Sequence, residues 1–111
     1  MRCLLLLSEV DHYARWEALS EEEQGEVFAC FEAFTAAVEA RGSIVSGEAL
    51  DRPETARHLR GGAVTDGAYA ETVEQLGSFF LLDLPSLDDA AELAALLPPA
   101  YSVEIRPVVE T

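Results

Sequence analysis

Two short runs of uninterrupted apolar residues, Leu4 to Leu7 and Phe79 to Leu82, constrain this chain more than any other feature. A strand sends alternate side chains to opposite faces of its sheet, so a run without polar alternation offers apolar groups to both sides. A sheet built on two such strands needs cover on both faces. At 111 residues the chain has the length of one domain with one core, and residues 1–111 are read as a single domain.

The sequence supplies two amphipathic helices as cover. Ser20-Glu21-Glu22-Glu23 is a capping box, in which the serine hydroxyl accepts from the amide three residues on and the glutamate reaches back. Val27, Phe28, Phe31, Phe34 and Val38 then recur at helical spacing, and Arg41-Gly42 ends the helix with a basic last turn and a stop. Ser86 caps a second helix with Asp88 and Asp89 in its first turn; Leu87, Ala90, Leu93, Ala94 and Leu97 form its apolar face, and Pro98-Pro99 stops it. Between the first strand and the first long helix, residues 11–19 read as a loop or short helix.

The remaining segments are extended. Residues 43–50 begin as a strand, and the run 55–60 meets Gly61-Gly62 before a return run at 63–65, the pattern of a tight hairpin closed by Asp66-Gly67. Ser78 to Leu84 is a strongly apolar strand, and Ser102 to Val108 alternates. The order predicts an α+β, ferredoxin-like βαββαβ domain with an inserted β-hairpin. Both helices then cover one face of the sheet. Since soluble monomers rarely expose a large contiguous apolar patch, the second face predicts a homodimer with sheet packed on sheet.

Charge narrows the partners. Seven arginines against 21 carboxylates give a net charge of -14, which argues against nucleic acid and anionic membrane, both of which bind basic patches. The apolar run after Met1 stops at Ser8-Glu9, shorter than the roughly 7–15 residues of a signal core. No stretch approaches the roughly 20 residues of a membrane span, and a cytoplasmic location is expected. Cys3 and Cys30 lack CxxC spacing and read as small buried hydrophobes.

Candidate chemistry is sparse. His12, in the connection after the first strand, can meet a site at the strand ends and is the better placed of two histidines for acid or base work; His58 alternates with polar neighbours and reads as exposed. Asp66, Tyr69, Glu71, Thr72 and Glu74 concentrate polar groups between two strands, where binding loops commonly lie. The histidine and carboxylate spacing points to no metal site, Gly61-Gly62 lacks the lysine and following helix of a phosphate loop, and no cofactor is expected.

The stretch Val64-Thr65-Asp66-Gly67-Ala68-Tyr69-Ala70-Glu71-Thr72-Val73-Glu74-Gln75-Leu76-Gly77-Ser78-Phe79 resembles the YCII-related family, in the branch named for its Asp-Gly-Pro-Phe motif. Gly47 to Leu50, Leu82 to Ala90 and Val103 to Val108 are similar to the same branch, so the resemblance covers nearly the whole chain. It implies a dimeric α+β barrel and little about chemistry. Many members of the branch are encoded beside or fused to extracytoplasmic-function sigma factors, and more distant members have been proposed as enzymes with a His and Asp pair. This chain departs from the branch at Ala68, Tyr69 and Val73, where Pro, Phe and Lys are usual, and its first long helix contains no histidine to match the family's.

Two functions follow. One is a dimeric module that binds a small ligand or attends a sigma factor, with Glu48, Glu71, Thr72 and Glu74 as ligand-binding residues. The alternative is a small-molecule isomerase or lyase in which His12 or Tyr69 works with Asp66 or Glu71 to move a proton.

Overall fold

The computed structural model describes residues 1–67 and 74–110. Strand β1 (Arg2–Val10) leads through the short helix α1 (His12–Ala18) to the long helix α2 (Glu21–Arg41). Strand β2 (Ser43–Ala49) follows, then a 3-10 turn at Pro53–Thr55 and the hairpin of β3 (Arg57–Arg60) and β4 (Ala63–Asp66). Strand β5 (Glu74–Asp83), helix α3 (Leu87–Ala94) and strand β6 (Ser102–Pro107) complete the chain.

Local chemistry sets these boundaries. The Ser20 hydroxyl accepts from the Glu23 amide at 3.1 Å and the Glu23 carboxylate accepts from the Ser20 amide at 3.1 Å, so both arms of the capping box form. Ser86 caps α3 by accepting from the Asp89 amide at 3.2 Å. Gly61 and Gly62 have φ of 56° and 82°, the left-handed pair that a two-residue hairpin turn requires. Strands β1 and β5 are longer than their apolar runs, because their outer residues still find ladder partners, from Arg2 opposite Asp83 to Val10 opposite Glu74.

The main sheet has the order β2-β5-β1-β6, and every neighbouring pair is antiparallel. β3 and β4 form a separate two-stranded sheet. On one face, Cys3, Leu5 and Leu7 of β1 and Leu82 of β5 pack with Phe34 and Val38 of α2 and with Ala90 and Leu93 of α3, all buried. Leu5 opposite Phe80 and Ile105, and Leu7 opposite Val103, extend this layer across three strands.

The other face carries Leu4, Leu6, Phe79 and Leu81, all half-buried, with Leu4 opposite Leu81 and Leu6 opposite Phe79. Along β1 the burial alternates strictly, which shows that the uninterrupted leucine run serves two faces. Ser46 and Glu48 border this strip on β2, and Glu104 and Arg106 on β6. Both cysteines are free; Cys3 is buried, which pushes its thiol up, and Cys30 is half-buried. Among the described residues no helix is long and apolar enough to cross a membrane.

The hairpin stands off this body as an arm, closed at its base by the Gly67 amide donating to the Ala56 carbonyl at 2.8 Å. The radius of gyration, 15.3 Å, reflects it. A compact chain of this length would have about 13 Å.

Candidate functional site

The inward row of β1 ends on a charge. Continuing Cys3, Leu5, Leu7 by the strand period of two reaches Glu9, which is 8% exposed. A carboxylate at that depth requires compensation. His12 supplies it from the first turn of α1, its Nδ1 lying 2.9 Å from Glu9 Oε1. Arg15 adds a longer contact, Nε to Oε2 at 3.8 Å. The chain reverses between strand and helix at Asp11, whose φ of 50° is one of the left-handed conformations that aspartate tolerates.

The space for the imidazole comes from β5. The β1–β5 register slips between Leu7 opposite Ser78 and Ser8 opposite Leu76, leaving Gly77 as the extra residue of a bulge. A β-carbon on Gly77 would lie 2.6 Å from His12 Nε2 and 2.7 Å from Cδ2. Glycine at this point is what lets the ring lie against the strand.

Two tyrosines hold the ring from its sides. Tyr13 meets it edge-on with centroids 4.8 Å apart, and Tyr101 does so at 5.7 Å. Burial, with the charge of Glu9 adding to it, pushes the Tyr101 phenol up to about 12, so Tyr101 stays a neutral hydroxyl. The Tyr13 hydroxyl lies 2.9 Å from the Leu50 carbonyl and 2.8 Å from that of Asp51, and its backbone amide donates to Gln75 Oε1 at 3.3 Å. Burial is also the main cause that raises the Tyr13 phenol, followed by Asp51. Tyr13 thus ties α1 to the chain leaving β2 and to the start of β5.

His12 opens on a cleft of about 450 Å³ between α1, α2 and the β2–β5 edge. Its walls are mostly aromatic: Trp16 and Phe28 in an edge contact at 5.4 Å, with Phe31, Phe80 and Tyr101 packed around them. His12 and Ser78 bring polar side chains to it, and the Ser78 hydroxyl has no hydrogen bond among the described residues. A second cavity of about 260 Å³ lies against Glu9, Arg15, Cys30 and the other side of Tyr101. Glu9 lines the second cavity and His12 the first, so the hydrogen-bonded pair spans the wall between them.

The pair has a defined polarity. A carboxylate oxygen only accepts, so His12 donates through Nδ1, and in the neutral ring that tautomer leaves the lone pair on Nε2. An imidazole oriented in this way by a carboxylate can take a proton from a bound molecule and return it.

The other residues singled out from the sequence fall elsewhere. Asp66 lies on the arm, paired with Arg57 at 3.3 Å, and does not line the cleft. Glu48 is on the cleft rim, but its place opposite Phe79 puts it on the sheet face away from the helices. Glu74 accepts from the Ser8 hydroxyl at 3.2 Å at the head of β5. Tyr69, Glu71 and Thr72 lie outside the described residues. His58, expected to be exposed, is half-buried on the arm. Among the described residues no group of three or more His, Cys, Asp or Glu side chains is disposed to hold a metal.

Glu9 was missed because it lies past the apolar run, where it reads as the polar end of the strand. Two signals point to it: the strand period carried on from Leu7, and the spacing of three residues to His12.

The pattern of the YCII-related domain matches residues 9–111. An uncharacterised protein of Rhizobium meliloti is 44% identical over 59 residues, covering 49% of this chain and 48% of that protein. The matched region therefore spans about half the length of that relative.

Proposed function

The chain belongs to the YCII-related family, and on that footing we propose that it binds a small, largely apolar molecule in the cleft and moves a proton on it through His12. The observation that carries this reading is the 2.9 Å bond from Glu9 to His12 at the wall of an aromatic cleft. Nε2 takes a proton from a carbon or hydroxyl of the ligand, and the positive imidazolium is stabilised by Glu9. Returning the proton at another atom of the ligand gives an isomerase; loss of a leaving group from the resulting anion gives a lyase. Glu9 fills the partner role that the sequence suggested for Asp66 or Glu71. Ser78 and the neutral Tyr101 hydroxyl are the groups available to orient the ligand.

The same reading includes a homodimer. The strand order β2-β5-β1-β6, with helices on one face and the Leu4, Leu6, Phe79 and Leu81 strip on the other, supports a ferredoxin-like half of a dimeric barrel. The stretch from Val64 to Phe79 supports placement in the Asp-Gly-Pro-Phe branch.

Proton exchange tests the function directly. A panel of small aromatic hydroxy and carbonyl compounds is incubated with the protein in deuterated water, and deuterium uptake is followed by NMR. We expect uptake into at least one compound, lost in His12→Gln while that variant keeps the parent's melting temperature. Uptake unchanged in His12→Gln, or no chemical-shift change at cleft residues with any compound, overturns the reading.

A further inference from the structure

Among the described residues, the walls of the cleft beside His12 carry almost no charge. Apart from two histidines, the basic residues of the chain are seven arginines, and none of them lines the cleft. Arg15 turns to Glu9 at the second cavity, and Arg52 is engaged by Glu17 and, at 3.8 Å, by Glu54. Glu48 is the one charged side chain on the rim among the described residues, and it belongs to the sheet face away from the helices. A carboxylate or phosphate carried into this space would lose its hydration and meet aromatic rings in place of a counter-ion, which is strongly unfavourable.

The polar groups of the cleft meet at one point of its wall. His12 Nε2 lies against Gly77, where an added β-carbon would come within 2.6 Å, and Ser78 is the next residue along β5. Ser78 falls opposite Leu7, in the row that faces the helices, and its hydroxyl has no hydrogen bond among the described residues. A proton acceptor thus stands beside an unspent donor. A carbon gives its proton to a neutral imidazole only where an adjoining group takes up the electron pair, and a carbonyl is the group whose developing negative oxygen a hydroxyl can hold. Resting on the proton-transfer reading above and deepening it, we propose that the substrate is an uncharged aryl ketone or keto ester, which the protein enolises. The C–H bond beside the carbonyl breaks, its proton goes to Nε2, and the electron pair moves to the carbonyl oxygen, which accepts from the Ser78 hydroxyl. The imidazolium and the enolate then form a pair that is neutral overall, whereas a substrate that entered as an anion would become a dianion facing one positive charge. Return of the proton to carbon restores the imidazole.

Matched acids and esters test the proposal on the full chain. Phenylpyruvate and its methyl ester, and 2-oxo-4-phenylbutanoate and its ethyl ester, are incubated with the protein in deuterated water, and deuterium uptake beside the ketone is followed by NMR. Each rate is divided by the rate in free imidazole at the same pH, which corrects for the differing acidities of acid and ester. We expect the protein to favour each ester over its acid by about tenfold or more. Leu50→Arg, which places a cation on a cleft-lining residue that is 39% exposed, should narrow that preference. Ser78→Ala should slow uptake into the esters by about tenfold or more while their affinity, read from chemical shifts of cleft residues, stays within about twofold. Acids handled as fast as their esters, or a preference that Leu50→Arg leaves unchanged, overturns the assignment of an uncharged substrate. Equal uptake in Ser78→Ala overturns the role of the hydroxyl. No uptake into any of the four compounds, while hydroxy compounds still exchange through His12, overturns the carbonyl class alone; no exchange through His12 with any compound overturns the proton-transfer reading as well.

Discussion

The His12 imidazole lies so close to Gly77 that a β-carbon there would come within 2.6 Å of Nε2 and 2.7 Å of Cδ2. The strand bulge and the histidine are therefore one feature: the extra residue in β5 is glycine at the place where the ring needs the strand's surface.

Gly77→Ala should consequently act through His12. We expect a loss of about 1–3 kcal/mol in unfolding free energy, the usual cost of overpacking a fitted site, and a smaller loss in a His12→Ala background, where the ring is gone. A double-mutant cycle of urea midpoints measures this coupling. Equal losses in both backgrounds would mean that the contact carries no strain.

The bond to Glu9 sets the tautomer of His12. Nitrogen chemical shifts should show the ring protonated at Nδ1 when neutral, and Glu9→Leu should shift the population toward the Nε2-protonated form, since the acceptor that holds the Nδ1 proton is lost. An unchanged tautomer in Glu9→Leu would remove the carboxylate from its positioning role.

Tyr101 predicts how stability falls in alkali. Its phenol is pushed from 10.0 up to about 12 in the folded chain, so the folded state holds the proton longer than the unfolded state. The resulting stability is fully present below pH 10 and is lost as pH rises toward 12. With partial solvent screening this amounts to roughly 1–2 kcal/mol. Tyr101→Phe should flatten that part of the curve of urea midpoint against pH, and it should remove the latest-developing part of the parent's tyrosinate absorbance. A parent and variant that lose stability in parallel above pH 10 would contradict the assignment.

The helix stripe of α2 divides into two classes. Phe34 is fully buried, and Phe34→Ala should cost about 3–5 kcal/mol. Phe28 is 56% exposed and touches Trp16 at the cleft, so Phe28→Ala should cost about 1 kcal/mol or less in stability while weakening ligand binding. Thermal melts of the two variants separate core from cleft; equal losses would place Phe28 in the core.

That division also shows what the sequence makes legible. Periodicity places Phe28 and Phe34 on one stripe, yet it cannot tell the residue that meets the sheet from the one that meets a cleft beside α1, because the difference is tertiary. Features written in neighbouring residues were readable in full: the box of Ser20 and Glu23, the Ser86 cap and the left-handed Gly61-Gly62 turn. His12 was readable as a candidate because it directly follows the first strand, where a side chain can meet a site at the strand ends. Its partner was not, because an acidic residue at a strand end looks like surface until the strand proves longer than its apolar run. Asp66, the partner that proximity in a polar segment suggested, sits on the arm instead, where it is drawn to Arg57.

The wall formed by Glu9 and His12 is shared by two hollows. The carboxylate borders one cavity and the imidazole the other, so a substitution beside Arg15 or Cys30 bears on the oxygen side of the pair, whereas one at Phe28 or Phe31 bears on the ring side.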